Sequence, residues 1–225
     1  MSHRHVLKVG HRGAAGHAPE NTLASVARGI SLAADYVEVD IQRTLDGSLV
    51  LMHDKFINRT TNGSGRLSDL RWDELCGLDA GEGERIPLLQ ETLEVASGRI
   101  GLILESITPG IGPAVYRQVS DFGYRGPVIF SSFLHDEILA IHELDPKAMT
   151  MALMEAVPIT RTAFAQEARA THAGIALDSM TGEFGEALHQ SGLRVFLYTA
   201  DTDEQIGLAR ALGADGIISN FPERI

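Results

Sequence analysis

A chain of 225 residues is long enough for one barrel-sized domain or two small ones, and 44% hydrophobic with 22% charged residues is the balance of an ordinary globular protein. Its net charge of −11 disfavours a nucleic-acid partner, and no apolar run is long enough for stable membrane insertion. The lone cysteine, Cys76, admits no intrachain disulfide, and the polar start (residues 1–5) precedes too few apolar residues for a secretory signal, so a cytoplasmic location is expected.

In chain order, residues 6–10 read as a first strand that delivers His11, Arg12 and Gly13 to its carboxyl end. A glycine-rich loop follows, and Pro19 falls where proline favours a first helical turn, ahead of the helical face Leu23, Val26, Ala27 and Ile30. Residues 36–41 read as a second strand. Side chains alternate along a strand, so Glu38 and Asp40 share one face and Val37, Val39 and Ile41 the other. Neighbouring carboxylates raise each other's pKa unless something positive lies between them, which makes the pair a candidate site for a hard divalent cation.

Asp46-Gly47 predicts a hairpin returning through residues 49–52 to His53-Asp54. Residues 55–85 are polar and turn-rich and read as an excursion over one end of the fold, with a short helix near 67–75. Helical spacing resumes at Pro87, and candidate strands then recur at 101–105, 127–131, 149–154, 174–178, 194–199 and 215–219, with helical segments between them. One such segment opens with Thr202 and Gln205 in capping-box positions. Eight principal strands in this rhythm predict an α/β fold, a (β/α)8 TIM barrel forming a single domain over residues 1–225. The main competitor, a doubly wound open sheet, needs no eighth unit and carries a phosphate-loop signature in its first turn.

Barrel active sites lie at the carboxyl ends of the strands. His11, Arg12, Glu38, Asp40, His53 and Glu105, which ends the run Leu102-Ile103-Leu104, are all expected on that rim. A third carboxylate beside the first two suits magnesium or calcium, and two histidines suit acid–base work near neutral pH. Arg12 adds a permanent cation with a fork matched to phosphate oxygens. Together these groups suit cleavage of a phosphodiester. His3, His5, His135, His142, His172 and His189 are read as surface or hydrogen-bonded core residues, and His17 is left open.

The order His11-Arg12-Gly13, Pro19-Glu20-Asn21-Thr22, Glu38-Val39-Asp40, Asp46-Gly47, His53-Asp54 and Arg59-Thr60-Thr61-Asn62-Gly63-Ser64-Gly65 resembles the glycerophosphodiester phosphodiesterase family. Residues 86–91, Ser132-Phe133 and the closing stretch 214–222 extend the likeness over nearly the whole chain. The resemblance implies a metal-dependent barrel that releases sn-glycerol 3-phosphate and an alcohol, with a glycerol hydroxyl attacking phosphorus and water opening the cyclic phosphate. It further implies His11 and His53 as the acid–base pair, Arg12 on phosphate, and Glu38, Asp40 and Glu105 on one Mg2+ or Ca2+. The partner expected is a small-molecule glycerophosphodiester; assembly into a homo-oligomer is left open.

Two departures from the family pattern stand out. Ile107 takes the place of a lysine common two residues after the third acid, leaving Lys55 or Arg12 to supply the charge, and Tyr198 replaces a usual tryptophan. The alternatives are therefore a weak or inactive barrel that binds a phosphorylated ligand, or a phosphodiesterase acting on lysophospholipid or sphingolipid head groups. The latter needs an apolar surface near the mouth, for which the excursion offers only Phe56, Ile57 and Trp72.

Overall fold

A computed structural model describes residues 5–225; His3 lies outside the described residues. The parallel strands are β1 (Leu7–Gly10), β2 (Tyr36–Arg43), β4 (Gly101–Ser106), β5 (Val128–Ser132), β6 (Met149–Met154), β7 (His172–Ala176), β8 (Arg194–Tyr198) and β9 (Gly216–Ser219). They pair in the order β1-β9-β8-β7-β6-β5-β4-β2, and β1 pairs back onto β2, which closes the barrel. β3 (Leu49–Leu51) is antiparallel to β2, as the Asp46-Gly47 turn predicts; Gly47 sits at φ 90° and donates its N–H to Thr44 O over 3.1 Å.

Helices α1 (Leu23–Ser31), α3 (Leu89–Ala96), α4 (Gly112–Phe122), α5 (His135–Leu144), α6 (Ala163–Glu167), α7 (Gly182–Gln190) and α8 (Asp203–Ala211) connect successive barrel strands, and β9 is followed by one 3-10 turn, Pro222–Arg224. The start of α1 corrects the expectation for Pro19. Asn21 at φ 56° interrupts helical backbone, and Thr22 and Ser25 then exchange capping-box hydrogen bonds, so the helix begins at Leu23, four residues after the proline. The strand predicted at 174–178 runs instead from His172 to Ala176, because residues 177–179 turn into a 3-10 helix.

Strand alternation divides the core. Val37, Val39 and Ile41 face outward onto α1 and α3 neighbours, whereas Val9, Tyr36, Ile103, Ile129, Met151 and Phe196 fill the barrel interior. Large rings meet glycines there: a Cβ on Gly216 would lie 2.4 Å from Phe196, and one on Gly101 2.5 Å from Tyr36. Replacing fully buried Phe196 with alanine would cost about 3–5 kcal/mol.

The 55–85 excursion is better ordered than its composition predicts. A separate buried cluster of Val50, Met52, Ile57, Leu67, Leu75 and Ile86 anchors it to β3, and the predicted helix resolves into a 3-10 turn (Leu67–Asp69) and α2 (Trp72–Leu75). Ile57 is buried and Trp72 packs on this cluster, so of the three apolar residues noted in the excursion only Phe56 is largely exposed. Among the described residues no helix is long and apolar enough to cross a membrane.

Candidate active site

Strand β2 turns Glu38 and Asp40 into the barrel, and the β2–β4 register sets Asp40 directly beside Glu105. All three carboxylates bring an oxygen within 4.8 Å of one another. Asn21 fixes Asp40 from both sides, donating its amide to Oδ2 over 2.7 Å and accepting the Asp40 N–H over 3.0 Å. The Arg12 N–H donates to Glu38 Oε2 over 2.9 Å, but Glu38 Oε1 is buried without a partner among the described residues. Ser131 Oγ, in register with Glu105, likewise has no partner among the described residues. Burial, then Asp40 and then Glu105 push the Glu38 carboxyl well above its usual range, and burial followed by Asp40 pushes Glu105 up to about 8. Crowded, desolvated oxygens with an unsatisfied lone pair fit a hard divalent cation, which would remove both penalties.

Arg12 is half enclosed by acids. Its Nη1 donates to Glu20 Oε1 over 2.7 Å, and its Nε lies 3.3 Å from Asp40 Oδ2, close enough for ionic attraction but misaligned for a hydrogen bond. Backbone conformation aims it there, since Arg12 adopts φ 50° and Gly13 φ 90°. A Cβ at Gly13 would lie 2.3 Å from Ser25 Oγ, so that position requires glycine for both reasons.

Each histidine is oriented through Nδ1. His53 Nδ1 is 2.7 Å from Asp54 Oδ1, and Asp54 is in turn held by Arg59, whose Nε donates to Oδ2 over 2.6 Å. Arg59 also forks onto Glu20, with both Nη atoms 2.7 Å from its oxygens, so one chain of charges runs from His53 through Asp54, Arg59 and Glu20 to Arg12. Asp54 is held far below the usual carboxylate range, chiefly by the Arg59 hydrogen bond and despite partial burial; Glu20 is also lowered, because its contacts with both arginines outweigh burial.

His11 is built differently. Its Nδ1 lies 2.9 Å from Asn220 Oδ1, while Asn220 Nδ2 donates to Asp201 Oδ2 over 2.7 Å. A carboxylate only accepts, so the amide nitrogen of Asn220 must face Asp201, its oxygen must face His11, and His11 Nδ1 must carry the proton. Nε2 is then the basic nitrogen of the neutral ring. Burial first, and Arg12 second, lower the His11 pKa.

His11, Arg12, Glu38, Asp40, His53 and Glu105 thus line a single pocket at the carboxyl rim, which is the convergence expected from their places at strand ends. Ile107 and Lys55 are not among its lining residues, and Lys55 is exposed. Residues Glu20, Asn21 and Arg59 lie in the motif fragments, yet their support of the first six becomes visible only in three dimensions; Asp201 and Glu155 lie outside those fragments. The opposite wall of the pocket is Phe133, Met151, Leu153, Glu155 and Tyr198. His17 pairs with Glu223 at 2.9 Å, away from this lining, and His135, His172 and His189 hydrogen-bond within the fold as read.

The sequence pattern of the Glycerophosphoryl diester phosphodiesterase family matches residues 11–224. A glycerophosphodiester phosphodiesterase of Caldanaerobacter subterraneus subsp. tengcongensis is 32% identical over 97% of this chain and 96% of its own, and one from Bacillus altitudinis is 33% identical over 95% and 94%. An Oleispira antarctica phosphodiesterase, solved in complex with the product sn-glycerol-3-phosphate, superposes with a TM-score of 0.91 at 27% identity, covering 97% of this chain and 94% of that one. With the barrel, the acidic cluster and matches along almost its full length in agreement, the chain belongs to the glycerophosphoryl diester phosphodiesterase family.

Proposed function

We propose that the protein hydrolyses glycerophosphodiesters to sn-glycerol 3-phosphate and an alcohol. The observation that carries this reading is the meeting of two Nδ1-anchored histidines, Arg12 and three crowded carboxylates in one pocket. Glu38, Asp40 and Glu105 would hold a divalent cation, Mg2+ or Ca2+, which when bound supplies charge neutralisation at the phosphoryl oxygens. Arg12 retains donors not used by Glu20 or Asp40, and these bind and orient the phosphate.

The two histidines divide the proton work by their partners. His11, backed by a neutral amide oxygen, takes the proton of the glycerol 2-hydroxyl on Nε2 as that oxygen bonds to phosphorus. His53, oriented through Nδ1 by Asp54, gives a proton to the departing alcohol oxygen as its bond to phosphorus breaks. The roles then reverse: His53 takes a proton from water as the water oxygen bonds to phosphorus, and His11 returns one to the 2-oxygen as the cyclic phosphate opens. The completeness of this set weighs against a barrel that only binds a phosphorylated ligand.

His11→Ala and His53→Ala are each expected to lower sn-glycerol 3-phosphate release by about 100-fold or more, followed by phosphorus NMR so that a cyclic product is seen if it accumulates. Undiminished release by both variants would overturn the reading.

A further inference from the structure

Strand β5 ends in two serines that do opposite things. Ser132 faces away from the barrel axis and is engaged twice, its Oγ donating to Ser106 O over 2.6 Å and accepting the Leu134 N–H over 3.0 Å. Ser131 points into the pocket, is only 1% exposed, and its Oγ has no hydrogen-bond partner among the described residues. Its register neighbours are Glu105 on β4 and Met151 on β6. Met151 offers only a weakly accepting thioether, and Glu105, although alongside, makes no hydrogen bond with the hydroxyl. Two more buried polar atoms without a hydrogen-bond partner, Glu38 Oε1 and Arg12 Nε, belong to the same pocket. Ser106 and Thr150, whose hydroxyls are also unpartnered among the described residues, alternate with Glu105 and Met151 and so face away from it.

We propose that Ser131 is a positioning residue for the hydration shell of a divalent cation held by Glu38, Asp40 and Glu105, and that it biases this site towards Mg2+ over Ca2+, a role that rests on the cation of the phosphodiesterase reading above. Three carboxylates offering one oxygen each leave open positions around either ion, which water or substrate oxygens take. Water on a dication is a strong hydrogen-bond donor and calls for acceptors that are not themselves ligands. Ser131 Oγ is such an acceptor, with its lone pairs free and its own proton available to Glu105. Mg2+ gives up its water reluctantly, whereas Ca2+ exchanges it readily for protein oxygens. A fixed acceptor for that water therefore favours Mg2+.

Titration calorimetry of chelator-stripped protein with Mg2+ and, separately, with Ca2+ tests this without turnover. Ser131→Ala is expected to weaken Mg2+ binding by about 10-fold and Ca2+ binding by about 2-fold or less, so the ratio of the two Kd values shifts by about 5-fold or more. Ser131→Cys keeps the volume but puts a weakly accepting thiol in place of the hydroxyl, and should reproduce the shift seen in Ser131→Ala. A misfolded fraction lowers the stoichiometry and leaves Kd unchanged, so poor folding does not mimic the result. An unchanged ratio in Ser131→Ala, or a wild-type ratio in Ser131→Cys, would overturn the role of Ser131 while leaving the cation site intact. Wild-type protein that binds neither ion, or that binds both as tightly after Asp40→Asn, would overturn the cation site and the role of Ser131 together.

Discussion

Asn220 stands between His11 and Asp201, accepting from the imidazole Nδ1 over 2.9 Å and donating to the carboxylate over 2.7 Å. The Asn220 backbone N–H and Ser219 Oγ also donate to Asp201, so three hydrogen bonds determine how one amide is presented to the ring. A neutral relay fixes the tautomer without stabilising the imidazolium as a direct carboxylate contact does. The expected consequence is an acidic limb of kcat/KM below the ordinary histidine value of 6.5, since burial and Arg12 lower the His11 pKa and the base must be unprotonated. Asn220→Asp places a carboxylate against Nδ1 and should move that limb to higher pH. Profiles of the two proteins measured together check this, and coincident acidic limbs would remove Asn220 from control of His11.

Arg59 connects the two halves of the proposed machinery, holding Asp54 behind His53 and Glu20 beside Arg12. Its side chain is 48% exposed, so its contribution to stability is small, and its effect is expected in turnover. Arg59→Ala should lower kcat/KM by about 10- to 100-fold, comparable to losing a group that orients an active-site ligand. Because Asp54 acts through the same chain, the double variant Arg59→Ala with Asp54→Asn should fall short of the product of the single effects. Independent effects in that cycle would contradict the coupling.

His172 makes a prediction about stability at a place remote from the pocket. It lies 4% exposed in the barrel interior, packed edge-on against Phe196, and burial lowers its pKa from 6.5 to about 4. Between those values the unfolded chain takes up a proton that the folded chain refuses, so stability falls as pH drops from 6.5 towards 4. At pH 5 the loss attributable to this residue is about 2 kcal/mol. Urea unfolding at pH 7 and pH 5 should show a shallower pH dependence in His172→Gln; an equal dependence would mean that His172 is not the titrating group.

Much of this architecture was legible in the sequence because periodicity reports burial. Val37, Val39 and Ile41 alternate with Glu38 and Asp40 since one face meets helices and the other the barrel axis, and the parallel pairing of β4 with β2 sets Glu105 beside Asp40 without any local signal being needed. The edges were less legible. Strand β7 begins at His172, a polar residue accommodated inside by Thr171 and Thr150, so hydropathy started the strand two residues late. Pro19 satisfied a helix-start preference, but the Thr22–Ser25 capping box overruled it. Arg59 and Asp201 escaped as site residues for a different reason: each acts on a residue distant in sequence, and such pairings follow from the closed barrel and from the packing of the excursion against the rim.

The proposed cation is tested apart from turnover by thermal unfolding. After exhaustive chelation, adding Mg2+ or Ca2+ should raise Tm, because binding relieves the repulsion among Glu38, Asp40 and Glu105; the increment should vanish in Asp40→Asn. The same Tm with and without either ion would argue against a site at these carboxylates.

The most direct test of the account is release of sn-glycerol 3-phosphate from a panel of glycerophosphodiesters by chelated protein, before and after each metal is added back. The account predicts negligible release without metal, recovery with Mg2+ or Ca2+, and no recovery in Asp40→Asn under the same conditions. Full release by thoroughly chelated protein, or full recovery by Asp40→Asn, would contradict it.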